Sequence, residues 1–302
     1  MDTSRTPADT DGPAEFGLSP GRPWTMPGWF THVLKGDGGE RWRISVAIPP
    51  GYDPDAGPLP TLYVLDPFGT FGTAAQVSAT ATTLAAGALR PHAVIGVGPD
   101  TDDLLEVLSL RSRDLTPLPD DSYPDPTSRH GNGGGEAFAD LLMGRVIPAL
   151  EQEYNVDSND RGLAGWSLGG LFTAWTAVTR PRVFRRYLLV SPSLWWADAA
   201  TLDPARIAAA DLTGADIYAA VGEHEARPTA QWPPIPPGTP KELIARAATV
   251  DMVDDLRCFT DLLRASPTAP ASLRSEVIAD EHHATGWAAA YTRGIVALYG
   301  AR

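Results

Sequence analysis

The chain has 302 residues, enough for one large α/β domain or two small ones with a substantial buried core. Its formal net charge of -13 argues against general binding to nucleic acid or to an anionic membrane, and Lys35 and Lys241 are its only lysines among 24 basic residues. The single cysteine, Cys258, excludes an intrachain disulfide, and Met1 to Pro13 shows no apolar run behind a basic segment. Neither a signal peptide nor a membrane helix is therefore read there, and a cytoplasmic setting is expected.

Residues 1–22 are polar and rich in proline, glycine and aspartate, so this segment is expected to be disordered or loosely laid over the surface. Residues 23–302 read as a single domain. Phe30–Leu34 and Trp42–Ile48 alternate at period two, as an antiparallel pair would, before Pro49-Pro50-Gly51 ends the second. Thr61–Asp66 is a continuous apolar run suited to a central strand buried on both faces. An alanine-rich helix over Thr73–Leu89 and a buried strand at Ala93–Val97 complete a β-α-β unit. Residues 98–135 show no obvious regular element, and a loop of that length is expected to form an active-site rim. A helix begins near Glu136, with Phe138, Leu142, Val146, Leu150 and Tyr154 on its core face. Later strands are expected at Tyr187–Val190, Ile217–Gly222 and Leu273–Ile278. A proline-rich excursion runs from Pro228 to Pro240, and helices are expected over Val250–Leu263 and Gly286–Leu298.

The chemistry centres on Gly165-Trp-Ser167-Leu-Gly169, which sits between the buried strand ending Leu163-Ala164 and the apolar helical run after Leu168. Such an elbow turns a strand sharply into a helix and exposes the serine hydroxyl at the carboxyl end of the sheet. The alternative is an ordinary serine in a tight turn. A serine nucleophile needs a base within hydrogen-bond reach, and the base needs a group to orient it. In α/β-hydrolases the chain order is serine, acid, histidine, with the last two on loops after later strands. His282 and His283 follow the last expected strand. Glu225, three residues after the strand-ending Gly222, is the better acid and Glu223 the second. The Glu-His-Glu and His-His residues lack the spacing of a metal site, so no metal is expected. The oxyanion hole is expected to use the N–H of Leu168 and one from the loop after Asp66; Pro67 has no N–H, which passes that role to Phe68 or a neighbour.

These residues resemble the esterase D-like branch of the α/β-hydrolases, and within it the trilactone siderophore esterases. The resemblance runs from about Trp42 to the C-terminus. It rests on Tyr63-Val-Leu-Asp66, Arg113-Asp-Leu-Thr-Pro117, Gly133-Gly-Gly-Glu-Ala-Phe138, Gly165-Trp-Ser-Leu-Gly-Gly170, Ser191-Pro-Ser-Leu-Trp-Trp196, Val221-Gly-Glu-His-Glu225 and Glu281-His-His-Ala-Thr285. It implies a mostly parallel central sheet with helices on both faces, and ester hydrolysis through an acyl-enzyme without a cofactor. Setting the family's terminal Glu-x-His-x-Thr pattern on Glu281–Thr285 favours His283 as the base.

The expected protein is thus a serine esterase acting on a siderophore trilactone or a related aryl or catecholate ester, with Ser167, His283 and Glu225 as catalytic residues. Arg111 and Arg113 are candidates for recognising an anionic or catecholic acyl group, and Trp195 and Trp196 for lining the substrate site. The expected partner is a small-molecule ester, a ferric siderophore among the candidates, with neither nucleic acid nor membrane involved. The alternative is an acyltransferase or cyclase of natural-product assembly using the same serine. A third reading is a non-catalytic binding protein on this fold.

Overall fold

The computed structural model describes residues 26–36, 38–84, 88–122, 129–226, 241, 244–245 and 248–301. Its strands are β1 (Trp29–Lys35), β2 (Arg41–Ala47), β3 (Leu59–Leu65), β4 (Ala93–Pro99), β5 (Val156–Trp166), β6 (Arg186–Val190), β7 (Asp216–Gly222) and β8 (Ser272–Ile278). They form one sheet in the order β1-β2-β4-β3-β5-β6-β7-β8. β2 runs antiparallel to both β1 and β4, and the remaining pairs are parallel. Every residue of β3 and β7 is buried, as expected of parallel strands with helices on both faces, whereas β2 alternates.

Two apolar layers result. On one face, α1 (Pro67–Leu84) and α8 (Gly286–Tyr299) pack Phe71, Tyr291 and Tyr299 against Leu62, Val64 and Leu188. The other layer takes α2 (Leu104–Leu115), α3 (Gly135–Leu141), α4 (Ile147–Glu153), α5 (Leu168–Thr179), α6 (Pro204–Ala209) and α7 (Met252–Ala265), with Phe138, Phe172 and Phe259 at its centre.

Three departures from the sequence reading have physical causes. Residues 98–135 contain α2, capped by the Asp103 side chain, which accepts from the Leu105 N–H at 2.9 Å. α1 starts at Pro67, six residues before the alanine-rich run, because proline is at ease in the first turn where its missing N–H has no intrahelical acceptor. The helix expected from Glu136 is α3 and α4 joined by a π-helical turn, Leu142–Val146. Its stripe Phe138, Leu142, Val146, Leu150 repeats every fourth residue, which drifts by about 40° per step on a regular α-helix. The wider turn offsets that drift and keeps all four side chains buried. The expectations for residues 1–22 and for Pro228–Pro240 lie outside the described residues.

Candidate active site

Ser167 stands between β5 and α5 with φ 60° and ψ -118°, a conformation that costs roughly 1–3 kcal/mol for a residue bearing a Cβ. The turn closes only because its neighbours are glycines. A Cβ on Gly165 would lie 2.1 Å from the Gly169 carbonyl oxygen, and one on Gly170 would lie 2.8 Å from Pro192 Cα. Backbone bonds pin the serine to the adjoining strand: its N–H donates to the Val190 carbonyl at 3.0 Å, and its own carbonyl accepts from the Ser193 N–H at 3.1 Å.

Glu225 and His283 arrive on the loops after β7 and β8. Glu225 is fully buried, a costly place for a carboxylate unless its oxygens are hydrogen-bonded. Its Oε1 accepts from the Gly222 N–H at 2.7 Å and from the Ser191 hydroxyl at 2.6 Å. Its Oε2 lies 2.5 Å from His283 Nδ1. The two loops abut closely: the His224 N–H donates to the Glu281 carbonyl at 3.0 Å, and a Cβ on Gly222 would sit 2.4 Å from that same oxygen. Trp166, directly before the serine, ties the histidine to the elbow. Its indole N–H donates to the His283 carbonyl at 3.1 Å, and the two ring centroids are 5.1 Å apart. Neither Glu223 nor His282 joins this group. Glu223 Oε2 accepts from the Asp280 N–H at 3.0 Å, and the His282 ring lies against His224. Glu223, His224 and Asp280 bring one donor atom each within 4.8 Å of one another, on the same two loops but away from the cavity that holds Ser167.

A cavity of about 410 Å³ opens beside Ser167. Its walls include Pro67, Phe68, Leu104, Leu108, Trp166 and Arg111. Arg111 grips both carboxylate oxygens of Asp66 with one edge of its guanidinium, Nε and Nη2 each donating at 2.7 Å. Arg113 does not reach this lining: its Nε donates to Asp114 at 2.6 Å. Trp195 and Trp196 are also outside it. Trp196 is buried, with its indole N–H on the Leu118 carbonyl at 2.7 Å, and Trp195 packs at the edge of the core. The backbone after them turns through a left-handed run at Ala197, Asp198 and Ala199, held by the Ala197 N–H donating to Asp120. In their place Arg43, Phe68, Leu104, Leu108 and Trp166 line the cavity. The alternation of β2 offered the signal for Arg43, which points opposite to buried Trp42 and Ile44.

Leu168 and Phe68 occupy the first turns of α5 and α1, where amides have no intrahelical acceptor. Phe68 also borders the cavity.

The esterase family model matches residues 38–235, more than half of the chain. Over 279 residues the chain is 27% identical to the siderophore triacetylfusarinine C esterase of Aspergillus fumigatus, spanning 86% of this chain and 89% of that protein. It is 30% identical over 179 residues to the ferri-bacillibactin esterase BesA of Bacillus subtilis, an alignment that covers 57% of this chain and 61% of BesA. Among solved structures, the siderophore hydrolase EstA from Aspergillus nidulans superposes with a TM-score of 0.77 at 24% identity, over 93% of this chain and 97% of EstA. That likeness shows the α/β-hydrolase fold. With the family model covering most of the sheet and the whole nucleophile elbow, the chain belongs to the esterase family.

Proposed function

We propose that this protein is a serine esterase of siderophore-type polyesters. Ser167 Oγ attacks the ester carbonyl carbon while His283 takes the hydroxyl proton, and Glu225 holds the imidazole by its Nδ1 side. The tetrahedral oxyanion is stabilised by the N–H groups of Leu168 and Phe68, two helix N-terminal donors whose dipoles favour negative charge. Collapse expels the alcohol, which leaves with the proton from His283. Water, deprotonated by the same histidine, then releases the carboxylic acid and restores the serine. The observation that carries the reading is the buried Glu225 bonded to His283 on a loop that Trp166 fastens to the elbow. The names of the relatives supply the substrate class. A structure without disulfides, whose one cysteine is unpaired, supports a cytoplasmic setting, and no described helix is long and apolar enough to cross a membrane.

Mass spectrometry of the products from a metal-free catecholate trilactone and from a p-nitrophenyl ester tests this. Ring-opened and monomeric acids are expected with the wild-type protein and neither with Ser167→Ala. Trilactone left intact while the aryl ester is cleaved would remove the siderophore assignment and keep the serine esterase.

A further inference from the structure

The cavity beside Ser167 has a charge distribution that bears on what it can hold. Its wall is formed largely by Pro67, Phe68, Leu104, Val107, Leu108 and Trp166, and among the described residues the cations that border it are Arg43 and Arg111. Both are already matched by carboxylates of the protein. Arg111 forms the bidentate pair with Asp66 described above. Arg43 donates through Nη1 to Asp102 at 2.8 Å and through Nε to Asp100 at 3.2 Å, and Asp100 also receives Arg41. Arg41, Arg43 and Arg111 thus stand against Asp66, Asp100 and Asp102, which leaves this side of the cavity with no net positive charge inside a chain of net charge -13. An anion placed there loses its hydration and finds its potential partners already paired.

We propose that this cavity is the acyl subsite and that it selects an uncharged, largely apolar acyl group against one bearing negative charge. The inference rests on the serine esterase reading and goes beyond it by setting the charge of the substrate. Among siderophore polyesters it favours uncharged species, such as a metal-free trilactone with protonated catechols, over the polyanionic ferric catecholate complex. Selection comes from the walls that flank the acyl chain, so it acts on kcat/KM for any ester whose acyl part enters here.

Two matched esters test the proposal: p-nitrophenyl butyrate and the mono-p-nitrophenyl ester of succinic acid, assayed with wild-type protein, Ser167→Ala and Asp102→Asn. The neutral ester is expected to be favoured by at least about 30-fold in kcat/KM. Asp102 is a surface residue, and Asp102→Asn releases part of Arg43; the ratio between the two esters is expected to narrow by about threefold to tenfold. Equal rates, a preference for the succinyl ester, or a ratio unmoved by Asp102→Asn would overturn the proposal while leaving the esterase standing. Hydrolysis above the uncatalysed rate of each ester that persists in Ser167→Ala, or that is absent from the wild-type protein, would overturn the esterase reading and the subsite with it.

Discussion

Glu225 spends one carboxylate oxygen entirely on the protein and offers the other to His283. The Gly222 N–H and the Ser191 hydroxyl hold Oε1, which fixes the rotation of the carboxylate and aims Oε2 at the imidazole. Exchanging that oxygen for an amide nitrogen would present a donor to Nδ1 and favour the wrong tautomer. Glu225→Gln is expected to lower kcat by about 10³–10⁴ on a p-nitrophenyl ester. Ser191→Ala, which keeps the charge but frees its rotation, is expected to cost about tenfold and also to lower the melting temperature, because the buried carboxylate loses a hydrogen bond. The sequence separated these residues unevenly. Ser167 was legible from its glycines, because Gly165 and Gly170 each answer a close backbone approach. Glu225 was legible as a position after a strand, and His283 was preferred to His282 only through the resemblance of the Glu281–Thr285 segment. Ser191 stood inside a quoted motif without a role, since nothing in a Ser-Pro-Ser run shows which hydroxyl will face a carboxylate more than thirty residues away.

Among the elements, the junction of β3 and α1 shows how one residue choice dictates others. Asp66 has φ 55° and passes the chain directly into Pro67, whose ring lies over β4. That strand carries Gly96 and Gly98 beneath it: a Cβ would approach Pro67 Cβ to 2.8 Å at the first position and Pro67 Cδ to 2.6 Å at the second. Gly98→Ala is therefore expected to push the Pro67–Phe68 turn outward and to lower kcat at least about tenfold by displacing the Phe68 N–H. A smaller change in KM, and labelling of Ser167 by a phosphonate at a reduced rate, would accompany it. The proline and the two glycines were visible in the sequence, but their dependence on one another appears only when β3 and β4 are paired. Helix α2 escaped the sequence reading for a related reason. Leu104 at the cavity wall and Leu105 beside it are both about half exposed, so its apolar residues spread over two faces and form no single stripe. Asp103 followed by Glu106 was the available signal, an N-cap with an acid at the third helical position.

Across the whole molecule, the proposed catalytic residues and a second buried polar cluster stand at opposite ends of the sheet. Ser167, Glu225 and His283 stand on loops at the carboxyl ends of the strands. At the amino ends, Arg186 is buried, paired with Asp160, set over the Tyr299 ring and donating to the Leu298 carbonyl. His92 stacks on the same tyrosine with 3.9 Å between ring centroids and shares a hydrogen bond of 2.9 Å with Ser78. Burial holds its imidazole down at about 4, against an ordinary value of 6.5. Between those values the unfolded chain binds a proton that the folded chain does not, so stability falls as pH drops from about 6.5 toward 4 and this loss ends below it. The whole difference is worth about 3 kcal/mol, of which about 2 kcal/mol falls between pH 7 and pH 5. Urea unfolding at the two pH values is expected to show that decrement in the wild-type protein and to lack it in His92→Gln, whose stability is lower at pH 7.

That separation bears on how the protein can change over evolutionary time or in the laboratory. Changes to the rim loops can retune substrate choice without disturbing the aromatic and ionic layer beneath the strands. A gain of stability at that layer is likewise insulated from Ser167 by the length of the sheet, so the two properties can be selected in turn, each providing latitude for the other.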